Sequence, residues 1–276
     1  MRRELECIAV AIVSLPLMAQ APVDYENVLV PGGSGETSIV AFLKRPNGTN
    51  GPRPVVVGLH GCGGLITRTG TIQKRETDWA ERWTAAGYAV LFPDSFNPRG
   101  FREICTLTSE KRSIRPADRA RDAAATIAWA SRQPWADSKR IALIGWSHGA
   151  SSALWAVRSS KSEPLPVRTA VAFYPGCRPM AESKAWAPGN PLTILIGDAD
   201  DWTLPEHCRA LAMQHASITL IEYPGAVHGF DAPDTPLRTR TDVGLTANGR
   251  AKVGTDLKAR AAAIGEVTRI LAEAFK

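Results

Sequence analysis

Short apolar runs alternate with helical segments along most of this chain, and that alternation restricts the fold more than any other feature. Residues 54–59 are a β-branched run that suits a strand buried on both faces. Residues 38–43, 88–92, 140–144, 170–174, 192–196 and 218–223 read as further strands, each followed closely by Pro or Gly. Between them, residues 73–86 read as a helix that Gly87 can cap, and residues 117–131 as an Ala-rich helix. Another helix runs to about residue 158, and residues 255–275 carry an apolar stripe at three-to-four spacing. Residues 22–37 read as a polar, Gly-rich entry segment, and residues 95–115 as a long loop. The expected architecture is a mostly parallel, doubly wound α/β sheet flanked by helices, with little or no cap domain. Functional residues of such sheets lie in loops at the carboxyl ends of strands, so each chemical candidate should directly follow a strand.

At 276 residues the chain is long enough for one large core and short for two. Its net charge of +6 is scattered among acids, with no basic run interleaved with aromatics, so nucleic acid is not an expected partner. At the start, Arg2 and Arg3 precede an apolar run over residues 7–19, with Ala19 and Ala21 at its end. That is the layout of a secretory signal peptide, too short for a membrane span. Residues 1–21 are therefore read as a leader, cut after Ala19 or Ala21, and residues 22–276 as a single domain. Cys7 would leave with the leader, and Cys62, Cys105, Cys177 and Cys208 remain. An even count in an exported chain suggests two disulfides, with three possible connectivities.

Gly145-Trp146-Ser147-His148-Gly149 fits the G-x-S-x-G nucleophile elbow, with an apolar strand before it and an Ala-rich helical segment after it. The turn is so tight that small residues are needed two before and two after the serine. It lifts the hydroxyl above the sheet at a helix N-terminus, which favours negative charge. A serine hydroxyl needs a base. His60 and His148 belong to backbone motifs, and His207 and His215 fall in a helical stretch without a motif. His228 directly follows the last strand, where the order Ser, acid, His of α/β-hydrolases places the base. The acid must come from Asp198, Asp200 or Asp201 after the preceding strand; Asp200 is preferred and Asp201 is the alternative. Two backbone N–H groups should receive the oxyanion. One belongs to His148, and the other to Cys62 in His60-Gly61-Cys62-Gly63-Gly64. Trp146, Tyr174 and Trp202 are expected to line the pocket. No metal-ligand spacing and no phosphate-binding Gly loop stands out, so no metal or cofactor is expected.

These motifs, with Phe92-Pro93-Asp94-Ser95-Phe96 and residues 197–203 and 223–231, resemble the dienelactone hydrolase family over most of the chain after the leader. The resemblance implies a compact α/β-hydrolase that cleaves a small-molecule ester or lactone, with Asp200 as acid and His228 as base. The family's archetypes carry cysteine in the elbow. Ser147 here looks more like the related general esterases, and the leader with paired cysteines resembles an exported branch. Strand topology then suggests the pairs Cys62–Cys105 and Cys177–Cys208. The rival readings are a peptidase or acyltransferase with the same triad, and a binding protein on a hydrolase fold.

Overall fold

The computed structural model describes residues 24–32, 37–48, 51–159 and 164–276. The leader expected over residues 1–21 lies outside them. Eight strands form one sheet: β1 (Glu26–Val30), β2 (Ile39–Lys44), β3 (Arg53–Leu59), β4 (Ala89–Asp94), β5 (Ala136–Trp146), β6 (Thr169–Phe173), β7 (Leu192–Gly197) and β8 (Ile218–Tyr223). Their spatial order is β1-β2-β4-β3-β5-β6-β7-β8. β1 and β2 pair antiparallel, β2 meets β4 antiparallel, and all pairs from β4 to β8 are parallel. Val55, Val56 and Val57 at the centre of β3 are wholly buried, because a parallel sheet is covered on both faces.

The helices are α1 (Lys74–Ala85), α2 (Pro116–Ala130), α3 (His148–Ala156), the single turn α4 (Arg178–Ala181), α5 (Pro205–Gln214) and α6 (Leu257–Ala274). From β3 the chain crosses outward to β4, then returns past β3 to β5. Right-handed crossovers therefore put α1 and α2 on opposite faces. α2 packs on α3, whereas Arg260 of α6 reaches Asp78 of α1 at 2.7 Å. The order reverses between β3 and β5, so the loops leaving their carboxyl ends face each other across the crevice where such sheets bind ligands.

Three elements depart from the sequence reading. β1 lies inside the expected entry segment; it is a half-exposed edge strand whose Glu26 and Asn27 weaken its apolar signal. β5 begins at Ala136, ahead of the expected residue 140, through the partly exposed stretch Asp137 to Arg140. After β8 comes an unexpected two-stranded ribbon, β9 (Arg238–Arg240) and β10 (Ala251–Val253), each three residues long and so without a readable period. Among the described residues there is no separate cap domain, and no helix is long and apolar enough to cross a membrane.

Two disulfides fasten loops that follow the carboxyl ends of the strands. Cys62 after β3 is bonded to Cys105, and Cys177 after β6 is bonded to Cys208 in α5. The second closes a 31-residue separation. Replacing Cys177 and Cys208 together by serine is expected to lower unfolding stability by about 2–4 kcal/mol. Urea unfolding measures it, and an unchanged midpoint would contradict this role.

Candidate active site

β5 delivers Ser147 into a turn whose backbone sits at φ 53°, ψ −116°. A non-glycine residue with positive φ is strained by roughly 1–3 kcal/mol and persists only where its surroundings over-determine it. Here they do. The Ser147 N–H bonds the Phe173 carbonyl at 2.9 Å, and its carbonyl accepts from the Ser151 N–H at 2.9 Å. A Cβ at Gly145 would lie 2.5 Å from the Gly149 carbonyl oxygen, and one at Gly149 would lie 2.1 Å from that of Leu59. Glycine at both places is thus a steric requirement of the elbow.

The structure brings Ser147, His228 and Asp200 into one line. Ser147 Oγ is 2.9 Å from His228 Nε2, and His228 Nδ1 is 2.8 Å from Asp200 Oδ2. Asp200 is buried; its Oδ1 accepts from the N–H groups of Trp202 and Thr203, and Thr203 Oγ1 lies 3.0 Å from its Oδ2. Between Asp200 and Asp201, then, it is Asp200 that meets the imidazole. Asp201 is exposed and accepts the Lys252 N–H from β10 at 2.7 Å. Asp198 accepts from Gly225 N–H. The acid turn and the His loop touch directly, since a Cβ at Gly197 would lie 2.0 Å from the Ala226 carbonyl oxygen.

His228 is clasped by two rings, Tyr174 at 4.5 Å and Trp202 at 4.7 Å between centroids. Arg240 of β9 covers Trp202, and His228 bridges to Val253 of β10, so the ribbon steadies the His228 loop. Gly61, Cys62, Ser147, Trp202, His228, Arg238 and Val253 are among the residues lining a cleft of about 380 Å³. The Cys62 loop forms one wall of it, and the His148 N–H has no intrahelical partner because His148 opens α3. A larger hollow of about 900 Å³ at the amino ends of β3 and β4 contains none of Ser147, Asp200 and His228.

Two of the three expected pocket aromatics are placed differently. Trp146 and Tyr174 are wholly buried, and only Trp202 lines the cleft. Trp146 ends β5, where alternation turns its side chain to the face opposite Ser147. It stacks on Phe173 and Trp83. His207 lies in α5 and His215 at its end.

Several buried polar residues were given no role by the sequence. Asp231, three residues beyond His228, accepts from the indole N–H groups of Trp79 and Trp146, both at 2.9 Å, and from the Tyr174 hydroxyl. It thereby ties the His loop to the residue preceding Ser147. Arg75 of α1 donates to the Tyr174 oxygen at 3.2 Å and pairs with Glu76. Burial pushes the Glu76 carboxyl above its usual range, against the opposing pull of Arg75. Burial likewise holds the Tyr174 phenol well above its usual range; Arg75 opposes this and Asp231 adds to it. Arg119 of α2 is buried beneath the elbow against His148 and His60.

A sheet with this strand order, a strained serine after β5, and an imidazole linking that serine to a buried carboxylate define the chain as an α/β-hydrolase fold. Residues 39–275 match the sequence profile of the Dienelactone hydrolase family, and the chain belongs to it. Two Mycobacterium tuberculosis proteins, provisionally named phosphoribosyl transferases, are 30% identical over 219 residues. That alignment spans 79% of this chain but only 44% of theirs. Among solved structures, a dienelactone hydrolase-like promiscuous phosphotriesterase, P91, from metagenomic libraries is similar at 22% identity and a TM-score of 0.67, covering 92% of this chain and 100% of its own. Esterase 2 of Thermogutta terrifontis, in a form phosphorylated by paraoxon, is similar at 17% identity and a TM-score of 0.62, covering 94% of this chain and 97% of its own.

Two outcomes follow from the buried polar groups. Replacing Asp231 by alanine strands three buried donors and is expected to cost about 3 kcal/mol or more in urea unfolding. A loss below 1 kcal/mol would show that Asp231 does not fasten the loop. Burial, with Arg119 next, depresses the His60 and His148 imidazoles well below the usual histidine range. The unfolded chain then binds protons that the folded one refuses. Stability is fully present above the unfolded value of about 6.5 and falls as pH drops below it, by up to about 1.4 kcal/mol per pH unit for each imidazole. Urea midpoints from pH 8 down to pH 5 read that slope, and His148→Gln should reduce it.

Proposed function

We propose that this protein is a serine hydrolase that cleaves carboxylic esters or lactones through an acyl-enzyme on Ser147. The observation that carries this reading is the continuous hydrogen-bonded line from Ser147 Oγ through both ring nitrogens of His228 to Asp200. A serine hydroxyl becomes a useful nucleophile only when a positioned base removes its proton. Here His228 Nε2 takes that proton as Oγ attacks the substrate carbonyl. Asp200 holds the Nδ1–H and stabilises the imidazolium. The N–H groups of Cys62 and His148 receive the oxyanion. His228 then protonates the leaving alkoxide. In the second half, water attacks the acyl carbon, His228 takes its proton, and Ser147 is released.

A small acyl or alcohol group suits the cleft of about 380 Å³, and Trp202 offers it an apolar wall. The phosphorylated form of the Thermogutta terrifontis esterase supports a search with organophosphorus and ester substrates alike. We further read residues 22–276 as one exported domain, periplasmic or secreted. The two disulfides support that location, since such bonds persist in oxidising compartments.

A panel of short and long esters, lactones and amides tests the reading. Ser147→Ala is expected to lower kcat/KM on the best substrate by about 10⁴-fold or more, with folding unchanged by circular dichroism. Full activity in that variant would overturn the assignment. Activity on amides alone would favour a peptidase.

A further inference from the structure

Arg119 has no part in the triad, yet its guanidinium lies wholly buried where the two cleft-forming loops leave the sheet. Its Nη2 donates to the His60 carbonyl at 2.7 Å, directly before Gly61 and Cys62. Its Nη1 donates to His148 Nδ1 at 3.0 Å, which leaves the ring proton of His148 on Nε2. The plane of the guanidinium is set by Phe96, 4.9 Å from its ring centroid. One rigid fork therefore joins the β3 loop to the first residue of α3.

The same side chain brings a buried charge that Asp122 and Asp94 act on only through space, without ion-pair contact. Among the described residues no ion pair involves Arg119. Both acids spend their hydrogen bonds on other groups. Asp122 accepts both guanidinium arms of Arg99, at 2.7 and 2.8 Å. Asp94 accepts from the N–H groups of Phe96 and Asn97 and from the Asn97 side chain. A buried cation without a carboxylate is costly to keep, so stability gives no reason for it. Anionic character developing on the cleft side of the two loops does.

We propose that Arg119 is a positioning residue for the oxyanion hole: it sets the spacing of the Cys62 and His148 N–H groups and places positive charge behind them. This rests on Ser147 being the nucleophile. Misplacing such donors by about an ångström costs on the order of 100-fold in rate.

The test compares wild type, Arg119→Lys and Arg119→Met with two ligands built on the best substrate. One is its trifluoromethyl ketone, which Ser147 Oγ attacks to form a hemiketal oxyanion while His228 takes the proton. The other is its ether isostere, which has no carbonyl to attack. Arg119→Met is expected to lose about 100-fold in kcat, with KM nearly unchanged. Its ketone Ki should rise by the same factor and its ether Ki should stay constant. Arg119→Lys, which keeps the charge, should recover part of both losses. Equal weakening of ketone and ether, or an unchanged ketone Ki, would overturn the proposal. If Arg119→Met does not fold, Arg119→Lys alone must show the ketone-against-ether split. A wild type that neither binds the ketone nor reacts with a phosphonate at Ser147 would instead refute the nucleophile assignment.

Discussion

The left-handed backbone at Ser147 is the constraint to which the rest of the cleft end conforms. It costs roughly 1–3 kcal/mol, and the contacts that enforce it also fix the site. Gly149 must be bare because the end of β3 runs against α3, and Gly145 must be bare because the turn closes on Gly149. The same close approach sets the Cys62 loop beside Ser147. Parallel pairing of β3 with β5 therefore does more than build the sheet, since it brings one proposed oxyanion donor within reach of the other. Glycine, strain and register are parts of one arrangement.

Beneath the cleft the molecule mixes aromatic packing with buried charge. Trp79, Trp83, Trp146 and Phe173 form a contiguous cluster, and into it Asp231 projects a carboxylate satisfied by two indoles and a phenol. Such a group is costly when unpaired and rigid when fully paired. Here it is paired, and it links the His loop to the elbow through the side chain of Trp146. The disulfides act at the next distance out. Cys62–Cys105 restrains the β3 loop, while Cys177–Cys208 holds α5, which follows the acid turn, to the loop after β6.

The sheet and the chain order of Ser147, the acid turn and His228 were legible because buried parallel strands write themselves as unbroken apolar runs and each chemical residue follows one. Spacing could not separate Asp200 from Asp201. That choice depends on which carboxylate the turn points inward, and here Trp202 and Thr203 donate to Asp200. Trp146 and Tyr174 looked like pocket residues because they adjoin the elbow and a strand end, but strand alternation and a positive φ at Tyr174 send both rings into the core. Arg75, Glu76 and Arg119 carried no local signal, and Asp231, though inside the 223–231 motif, carried none for its role. Their meaning comes from partners between about 30 and 150 residues away or from burial, and neither has a period to read. β1 and the β9–β10 ribbon were hidden for the opposite reason, being short and half exposed.

If Ser147 carries the acyl group between two half-reactions, acid-quenching a slow ester substrate during its first turnover, with peptide mapping by mass spectrometry, will find one acyl adduct. That adduct should lie on the peptide containing Ser147 and form as fast as the first equivalent of alcohol is released. Alcohol release without any adduct, or an adduct on another residue, would contradict that role for Ser147.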